Sequence, residues 1–201
     1  MIGQSTARRR FLQYLAASPL MAGAADVLAQ EQRLPDPSVW GTRTLDKLIT
    51  SPREAINVFD FEPVMREKVP PAHFGYMATG IDDEVTLRAN REGFLKLQLR
   101  PRRLIDVETL DLRMELFGQT YPSPIVLAPS GFRRGTDIIK ALALGARAVC
   151  IGRPYLWGLG AFGQPGVERV LDLLHQETRA AMMQVGAPSL KQLVPAMVKR
   201  S

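Results

Sequence analysis

The chain has few of the residues that build metal centres and disulfide scaffolds. It contains one cysteine, Cys150, and two histidines, His73 and His175, in 201 residues. A single cysteine excludes an internal disulfide and a cysteine-based zinc cluster, and two histidines far apart in sequence have no metal-ligand spacing. Cys150 lies among apolar residues and is predicted to be a buried strand thiol without a catalytic role. We therefore predict neither a metal site nor a cysteine nucleophile.

Long apolar runs and long basic runs are also scarce. The uncharged run at residues 11–25 is shorter than the about 20 apolar residues that a membrane-spanning helix needs. The net charge of +6 is mild. Downstream of the apolar run, arginines cluster at Arg100–Arg103 and Arg133–Arg134. These features argue against a stable membrane span and against nucleic-acid binding. With 46% hydrophobic and 23% charged residues, the composition is that of one globular domain.

The first 29 residues have the order of an export signal. Adjacent arginines, Arg8 to Arg10, precede the apolar run, and Val27–Ala29 offers small residues at a cleavage point. This order resembles a twin-arginine signal, which predicts a periplasmic or exported protein whose single domain is residues 30–201. The alternative is a basic amphipathic helix at the start of a cytoplasmic protein.

The first half of the chain has helical patterns. Ser51–Glu54 has the spacing of a capping box, which predicts that a short helix starts there. Residues 82–97 predict a longer helix whose apolar face includes Val85 and Phe94. The polar, proline-bearing residues 30–50 predict an extended lead-in.

The second half changes to alternating strands and helices. Apolar and charged residues alternate over residues 110–116, as in a half-buried strand, and Gly118–Tyr121 predicts a turn. Ile125–Ala128 and Ala148–Ile151 are short apolar runs of the kind buried in parallel sheets. A loop and a helix follow each run, and the second helix has a continuous apolar stripe over residues 167–185. This order predicts βα units, but two strands are too few for a sheet to stand alone.

Two loops that contain glycine and arginine follow the predicted parallel strands, where α/β proteins place their ligands. The loop residues that point to this chemistry are Ser130, Gly131, Arg133, Arg134 and Gly135 in the first loop, and Gly152 and Arg153 in the second. Glycine lets backbone N–H groups approach an anion, a helix N-terminus adds partial positive charge, and arginine binds phosphate oxygens in pairs. The pattern predicts a phosphate site, with a solvated basic surface as the alternative.

The loop sequences resemble a known family. The run SGFRRGTDIIKALALGA, from Ser130 to Ala146, together with Ile151–Pro154, is similar to the C-terminal phosphate-binding segment of the FMN-dependent α-hydroxy acid oxidase and dehydrogenase family. That family includes glycolate oxidase, lactate monooxygenase, and lactate and mandelate dehydrogenases. Runs similar to its opening helices and first barrel strand follow in order between Tyr76 and Pro129. The resemblance covers roughly residues 55–195.

The resemblance implies a TIM barrel that holds FMN at the carboxyl ends of its strands. Residues that match the family's FMN contacts are Ala128, Pro129 and Ser130 beside the flavin, Gly131 and Arg133 at the phosphate, and Gly152 and Arg153 at a second phosphate contact. Tyr76 matches the tyrosine that binds the substrate carboxylate, with a packed aromatic between helices as the alternative. The implied substrate is a small (S)-2-hydroxy acid such as lactate or glycolate.

The central part of the family's barrel has no counterpart in the chain. A complete barrel has eight strands and about 250 residues, whereas only the first and last strands can be identified here. The family's catalytic histidine and its neighbouring arginine belong to the absent part, and neither His73 nor His175 lies in a matching motif. We therefore assign no catalytic residue. We predict an α/β fold that is an incomplete TIM-barrel fragment, with the first and last strands and the N- and C-terminal helices joined near Ser130.

Three functional hypotheses follow from this reading. The first is a member of the FMN-dependent oxidoreductase family with impaired catalysis, because a positioned base contributes about 10²–10⁴-fold to the rate. The second is a non-catalytic module that binds FMN or phosphate, or that self-associates or docks on an intact paralogue. The third is a misassembled chain that aggregates through exposed barrel edges.

Overall fold

The computed structural model of the protein describes residues 48–200. The predicted export signal and nearly all of the predicted lead-in lie outside these residues. The α-helices are α1 (Phe61–Lys68), α2 (Pro71–Ala78), α3 (Val85–Leu95), α4 (Gly135–Ala143), α5 (Arg153–Phe162) and α6 (Gln164–Val185). The strands are β1 (Leu97–Leu99), β2 (Met114–Leu116), β3 (Gln119–Tyr121), β4 (Ile125–Leu127), β5 (Val149–Ile151) and β6 (Val198–Arg200). Short 3₁₀ helices cover Pro52–Glu54, Val58–Asp60, Leu190–Gln192 and Pro195–Met197.

The strands form three separate two-stranded sheets. β1 pairs with β6 and β2 with β3, both antiparallel, whereas β4 and β5 are parallel. In the parallel pair Ile125 lies opposite Val149 and Leu127 opposite Ile151. Over residues 48–200 these sheets do not join into a closed barrel, as predicted for an incomplete barrel.

The parallel pairing of β4 and β5 confirms the prediction, and Val149 and Ile151 of β5 are buried as predicted, but the predicted burial of β4 is wrong. Val126 and Leu127 are 38% and 49% exposed, and Cys150 is half-buried. Val126 and Leu127 are exposed because β4 has a neighbouring strand, β5, on one side only in this two-stranded sheet. Side chains that neighbouring barrel strands and helices would cover are therefore open to solvent.

The turn between β2 and β3 differs from the prediction. It falls at Phe117 and Gly118, which both have positive φ angles of 51° and 77°. Two consecutive left-handed residues are typical of a type I′ hairpin. Gln119–Tyr121, predicted as part of the turn, is instead β3, the return strand of the hairpin.

The capping box also differs from the prediction. At Pro52–Glu54 the helix is a single 3₁₀ turn, and the Ser51 side chain makes no capping hydrogen bond. The Glu54 carboxylate instead accepts the N–H and hydroxyl of Thr50, at 3.1 and 2.7 Å. A complete capping box lies downstream, between Asn57 and Asp60.

The predicted helix over residues 82–97 is shorter in the structure, and part of its predicted apolar face is wrong. The helix α3 begins at Val85, which is 65% exposed. Phe94, at its other end, is half-buried and packs against Phe132 with ring centroids 5.0 Å apart. Only the C-terminal end of α3 therefore contributes an aromatic contact to the loop after β4.

The core forms around the long helix α6. Its apolar stripe is confirmed, because Val170, Leu174 and Met182 are buried, while Met183 is 46% exposed. The helix α5, which the sequence reading did not predict, packs against both α6 and α1. The core thus combines residues of these helices with Val149 and Ile151 of β5.

Candidate phosphate-binding site

The loops after β4 and β5 lie directly against each other. The Ala128 N–H donates to the carbonyl of Ile151 at 3.0 Å, which extends the parallel pairing beyond β4. A Cβ atom on Gly152 would lie 3.0 Å from Pro129 Cα and from the Ser130 nitrogen. Glycine at this position lets the two loops touch. The structure thus brings the predicted residues Ala128, Pro129, Ser130 and Gly152 together.

Ser130 and Arg133 organise the first loop by bonding to its backbone. The Ser130 hydroxyl donates to the carbonyl of Cys150 and accepts the N–H of Phe132 at 3.4 Å. Arg133 Nη1 donates to the carbonyls of Phe132 and Ser130, at 2.8 and 3.2 Å. The loop therefore holds its shape through its own side chains.

Arg133 is a buried cation. It is 3% exposed, and its guanidinium lies over the ring of Trp157 at 5.2 Å. Burial, and to a smaller extent the nearby cations Arg91 and Arg153, lowers the pKa of Arg133 to about 9. Its backbone N–H donates to Asp137 at 3.4 Å. An anion would relieve the repulsion among these three arginines.

Arg153 makes its contacts at the end of α2. Its Nε donates to the carbonyl of Met77 at 2.7 Å, and its Nη2 donates to the carbonyl of Thr79 at 3.1 Å. The neighbouring residue Tyr76 is 89% exposed. The structure thus links the backbone beside Tyr76 to the second loop, while the Tyr76 ring lies in solvent and is not the packed aromatic of the alternative reading.

Gly131 and Gly135 are required by packing. A Cβ on Gly131 would lie 2.5 Å from the carbonyl oxygen of Asn90, so α3 approaches the loop closely. A Cβ on Gly135 would collide with the backbone of Glu177 on α6. The Glu177 carboxylate accepts the Gly135 N–H at 2.8 Å, and this bond satisfies one N–H at the start of α4. Both glycines therefore let helices approach the loop.

The arginine cluster, defined here as Arg91, Arg133 and Arg153, lies close to two carboxyl groups, Glu62 and Asp137. Burial raises the pKa of Glu62, and the nearby charges of Arg66 and of the cluster oppose this rise. Arg91 also lies over the ring of Phe59 at 4.7 Å. Because the three arginines outnumber the two carboxyl groups, the region carries a net positive charge.

Arg91 and Glu62 were missed by the sequence analysis. Arg91 lies four residues after Leu87 and three before Phe94, and all three are half-buried on one face of α3. A charged residue within that face was the available signal. Nothing local in the sequence marks Glu62, because α1 and α5 meet only in the folded chain.

The cluster fits the phosphate end of FMN. A guanidinium has five N–H donors, and the described contacts of Arg133 and Arg153 use only some of them. Arg133 and Arg153 follow the carboxyl ends of the parallel strands β4 and β5, where α/β folds bind phosphates. Gly131, Arg133 and Arg153 are the residues that would hold the group. Over residues 48–200 no group of three or more His, Cys, Asp or Glu side chains is placed to hold a metal.

Solved structures show the class of fold. A soluble mutant of the membrane-associated (S)-mandelate dehydrogenase from Pseudomonas putida aligns with a TM-score of 0.71 and 16% identity, over 74% of this chain and 100% of that chain. A mutant flavocytochrome b2 with bound pyruvate aligns with a TM-score of 0.72 and 14% identity, over 81% of this chain and 91% of that chain. At these identities the likeness shows the fold alone, which is that of the TIM-barrel flavoenzymes. Among the described helices none is both long and apolar enough to cross a membrane.

The family follows from the sequence comparison. The FMN-dependent dehydrogenase model matches residues 65–132 and 129–200, which is more than half of the chain. The chain therefore belongs to this FMN-dependent family. The two matches overlap at residues 129–132, around the junction predicted near Ser130.

Curated relatives match shorter stretches. The pre-mycofactocin synthase of Mycolicibacterium smegmatis is 59% identical over 70 residues, which is 35% of this chain and 18% of that protein. The L-lactate oxidase of a Nostoc strain is 47% identical over 87 residues, or 43% and 24%. The 2-hydroxyacid oxidase 2 of Rattus norvegicus is 36% identical over 121 residues, or 60% and 34%. The chain thus spans about a third or less of the relatives it matches.

Proposed function

We propose that the chain is an internally deleted member of the FMN-dependent dehydrogenase family, and that it binds the phosphate end of FMN without oxidising 2-hydroxy acids by itself. The observation that carries this proposal is the junction at residues 129–132, where the two family matches overlap. On either side of the junction, β4 and β5 pair directly. The first and last strands of a closed barrel are neighbours, so a deletion between them leaves this pair intact.

The retained residues support anion binding. Arg133 and Arg153 belong to a cluster with net positive charge, and the start of α4 adds the partial charge of a helix N-terminus. When bound, FMN supplies the acceptor for the α-hydrogen of a hydroxy acid. The chain's own part is to hold the phosphate through its guanidinium groups and the backbone at Gly131.

The chain is not expected to catalyse turnover. Removal of the hydroxyl proton needs a base, which typically contributes about 10²–10⁴-fold. His73 lies exposed on α2 and His175 half-buried on α6, so neither is part of the two loops. The arginine clamp and the base of the family belong to the segment that has no counterpart here. We therefore assign no catalytic partner to Tyr76, the residue that matches the family's substrate-binding tyrosine.

Purification of the full chain with its bound flavin tests the proposal. We expect near-stoichiometric FMN and no turnover of lactate or glycolate. Replacement Arg133→Met should reduce the FMN content at least tenfold, whereas Arg147→Met, which removes an exposed arginine before β5, should not. Turnover of lactate by the flavin-loaded chain would disprove the loss of catalysis. A colourless wild-type chain would disprove FMN binding.

The exposed edge of β4 favours a second candidate function. Val126 and Leu127 are apolar and partly exposed on a strand with one paired neighbour in its sheet. Such edges recruit further strands. A non-catalytic module that self-associates or docks on an intact paralogue would be colourless yet fold cooperatively. A misassembled chain would aggregate without a cooperative transition.

We also propose that residues 1–29 direct the protein to the periplasm through the twin-arginine route. Arg8 and Arg9 precede Phe11 and the apolar run. A folded reporter fused to residues 1–29 should be exported, and the double change Arg8→Lys and Arg9→Lys should stop export. As a control, Arg33→Lys in the full chain, which changes an arginine outside residues 1–29, should leave export unchanged. Export that persists in cells without the twin-arginine pathway would contradict this route.

A further inference from the structure

Arg153 connects two parts of the chain that are far apart in sequence. It is the first residue of α5, directly after Gly152, and its guanidinium reaches the end of α2. There it donates to the carbonyls of Met77 and Thr79, at 2.7 and 3.1 Å. The last carbonyls of a helix have no partners inside the helix and carry partial negative charge. The Arg153 guanidinium therefore pairs these carbonyls and also offsets their partial negative charge.

The same edge of Arg153 is the one that binds oxyanions. Nε and one Nη of a guanidinium lie side by side and form two parallel bonds to carboxylate or phosphate oxygens. In Arg153 these two donors are bonded to Met77 and Thr79. An anion that binds Arg153 through both donors must take them from the two carbonyls.

The other hydrogen bonds described for the segment 76–80 are local. The Thr79 N–H and hydroxyl both donate to the carbonyl of Gly75, at 3.0 and 2.8 Å. The Gly80 N–H donates to Glu84 at 3.0 Å. The bonds from Arg153 span more than 70 residues, so they are the ones that tie this segment to the loop after β5.

We propose that Arg153 is a positioning residue that anchors the segment 76–80, which carries Tyr76, to the loop after β5, and that a phosphate group bound through its Nε and Nη2 donors releases the segment. The competition rests on the proposed function, because it needs the anion site at the arginine cluster. The anchoring does not, since it follows from the two hydrogen bonds alone. Arg133 bonds to its own loop, so an anion can engage it without moving α2.

Hydrogen exchange on the full chain tests the anchoring. Arg153→Ala should raise amide exchange in residues 76–80 at least tenfold, because two carbonyl contacts are lost. Arg153→Lys should restore part of the protection, since an ammonium donates to a carbonyl but lacks the planar fork. Arg147→Ala, which removes an exposed arginine at the opposite end of β5, should change nothing there. Unchanged exchange in the α6 core, residues 170–178, shows that a variant is folded.

Inorganic phosphate tests the competition. Calorimetry follows the binding of added phosphate to the wild type. Bound phosphate should raise amide exchange in residues 76–80 to the level seen in Arg153→Ala. In the Arg153→Ala variant, phosphate should cause no further rise in exchange. Wild-type exchange in a folded Arg153→Ala chain would overturn the anchoring. Phosphate that binds while residues 76–80 stay protected would overturn the competition and leave the proposed anion site standing. A wild type that binds no phosphate would overturn both the site and the competition.

Discussion

Gly158 of α5 and Gly166 of α6 lie backbone to backbone. A Cβ atom on Gly158 would lie 2.6 Å from the carbonyl oxygen of Gly166 and 3.0 Å from a methyl group of Val170. The two helices follow one another with Gly163 between them, at a φ of 66°. Because backbone atoms on both sides are fixed by their helices, the contact tolerates no side chain. The position of α5 sets the position of Arg153 at its start.

Replacement of Gly158 by alanine should destabilise the fold. We expect a loss of about 1–3 kcal/mol in the free energy of unfolding, as for other overpacked sites, measured by urea denaturation. Gly93→Ala is the matched control, because Gly93 lies within α3 and a Cβ there meets nothing within 4 Å. Alanine at that helical site should be neutral or stabilise by about 0.5–1 kcal/mol. Equal midpoints for the two variants would contradict the close contact.

The bond between Glu177 and Gly135 predicts a second effect on stability. Glu177→Ala leaves the Gly135 N–H unpaired at a buried helix start, which should cost about 1–3 kcal/mol. Glu177→Gln keeps an acceptor oxygen and should cost less. Glu168→Ala, an exposed position on the same helix, should stay within about 0.5 kcal/mol. Thermal unfolding of the three variants distinguishes these cases, and equal losses at Glu177 and Glu168 would refute the capping role.

Stability should fall as the pH rises above the ordinary carboxyl range. Burial raises the pKa of Glu62, Asp137 and Glu177, so the folded chain binds more protons than the unfolded chain between the ordinary and the raised values. The free energy of unfolding therefore decreases with rising pH through that window. Asp111 acts oppositely and at lower pH, because its bonds to Arg113 lower its pKa to about 2.

Urea midpoints measured from pH 4.5 upward check this dependence. Glu62→Gln removes one of the three groups, so its midpoint should fall less steeply with pH than that of the wild type. Glu67→Gln on the same helix is exposed and should follow the wild type. A wild-type midpoint that rises through this window would show that the three carboxyl groups are not destabilised by burial.

The parts of the fold that were predicted correctly depend on local patterns. The parallel β4–β5 pair follows from two apolar runs, and α6 follows from its apolar stripe. The helix α5 was missed because its sequence, RPYLWGLGAF, contains proline and two glycines and is apolar on most faces. Its helical form depends on packing between α1 and α6, which no local pattern reveals.

The arrangement of the site was predictable only in part. Family-like runs identified the two loops, including Arg133 and Arg153. The partners of these arginines were not predictable, because the contacts to Trp157 and Met77 bring together residues far apart in the chain. The exposure of Leu127 likewise depends on which strands are absent around β4, and the apolar residues beside it in the sequence carry no sign of that absence.

That exposure predicts a site of self-association. Leu127 is 49% exposed at the end of β4, and an apolar strand edge pairs readily with another chain. Leu127→Lys should weaken self-association at least tenfold, because a pairing strand would have to desolvate the ammonium group. Leu144→Lys is the matched control, since Leu144 is 52% exposed just after α4 and belongs to no strand. Sedimentation velocity over a range of concentrations gives the self-association constant of each variant. If the two lysine variants weaken association equally, the effect is one of general surface polarity and β4 is not the associating edge.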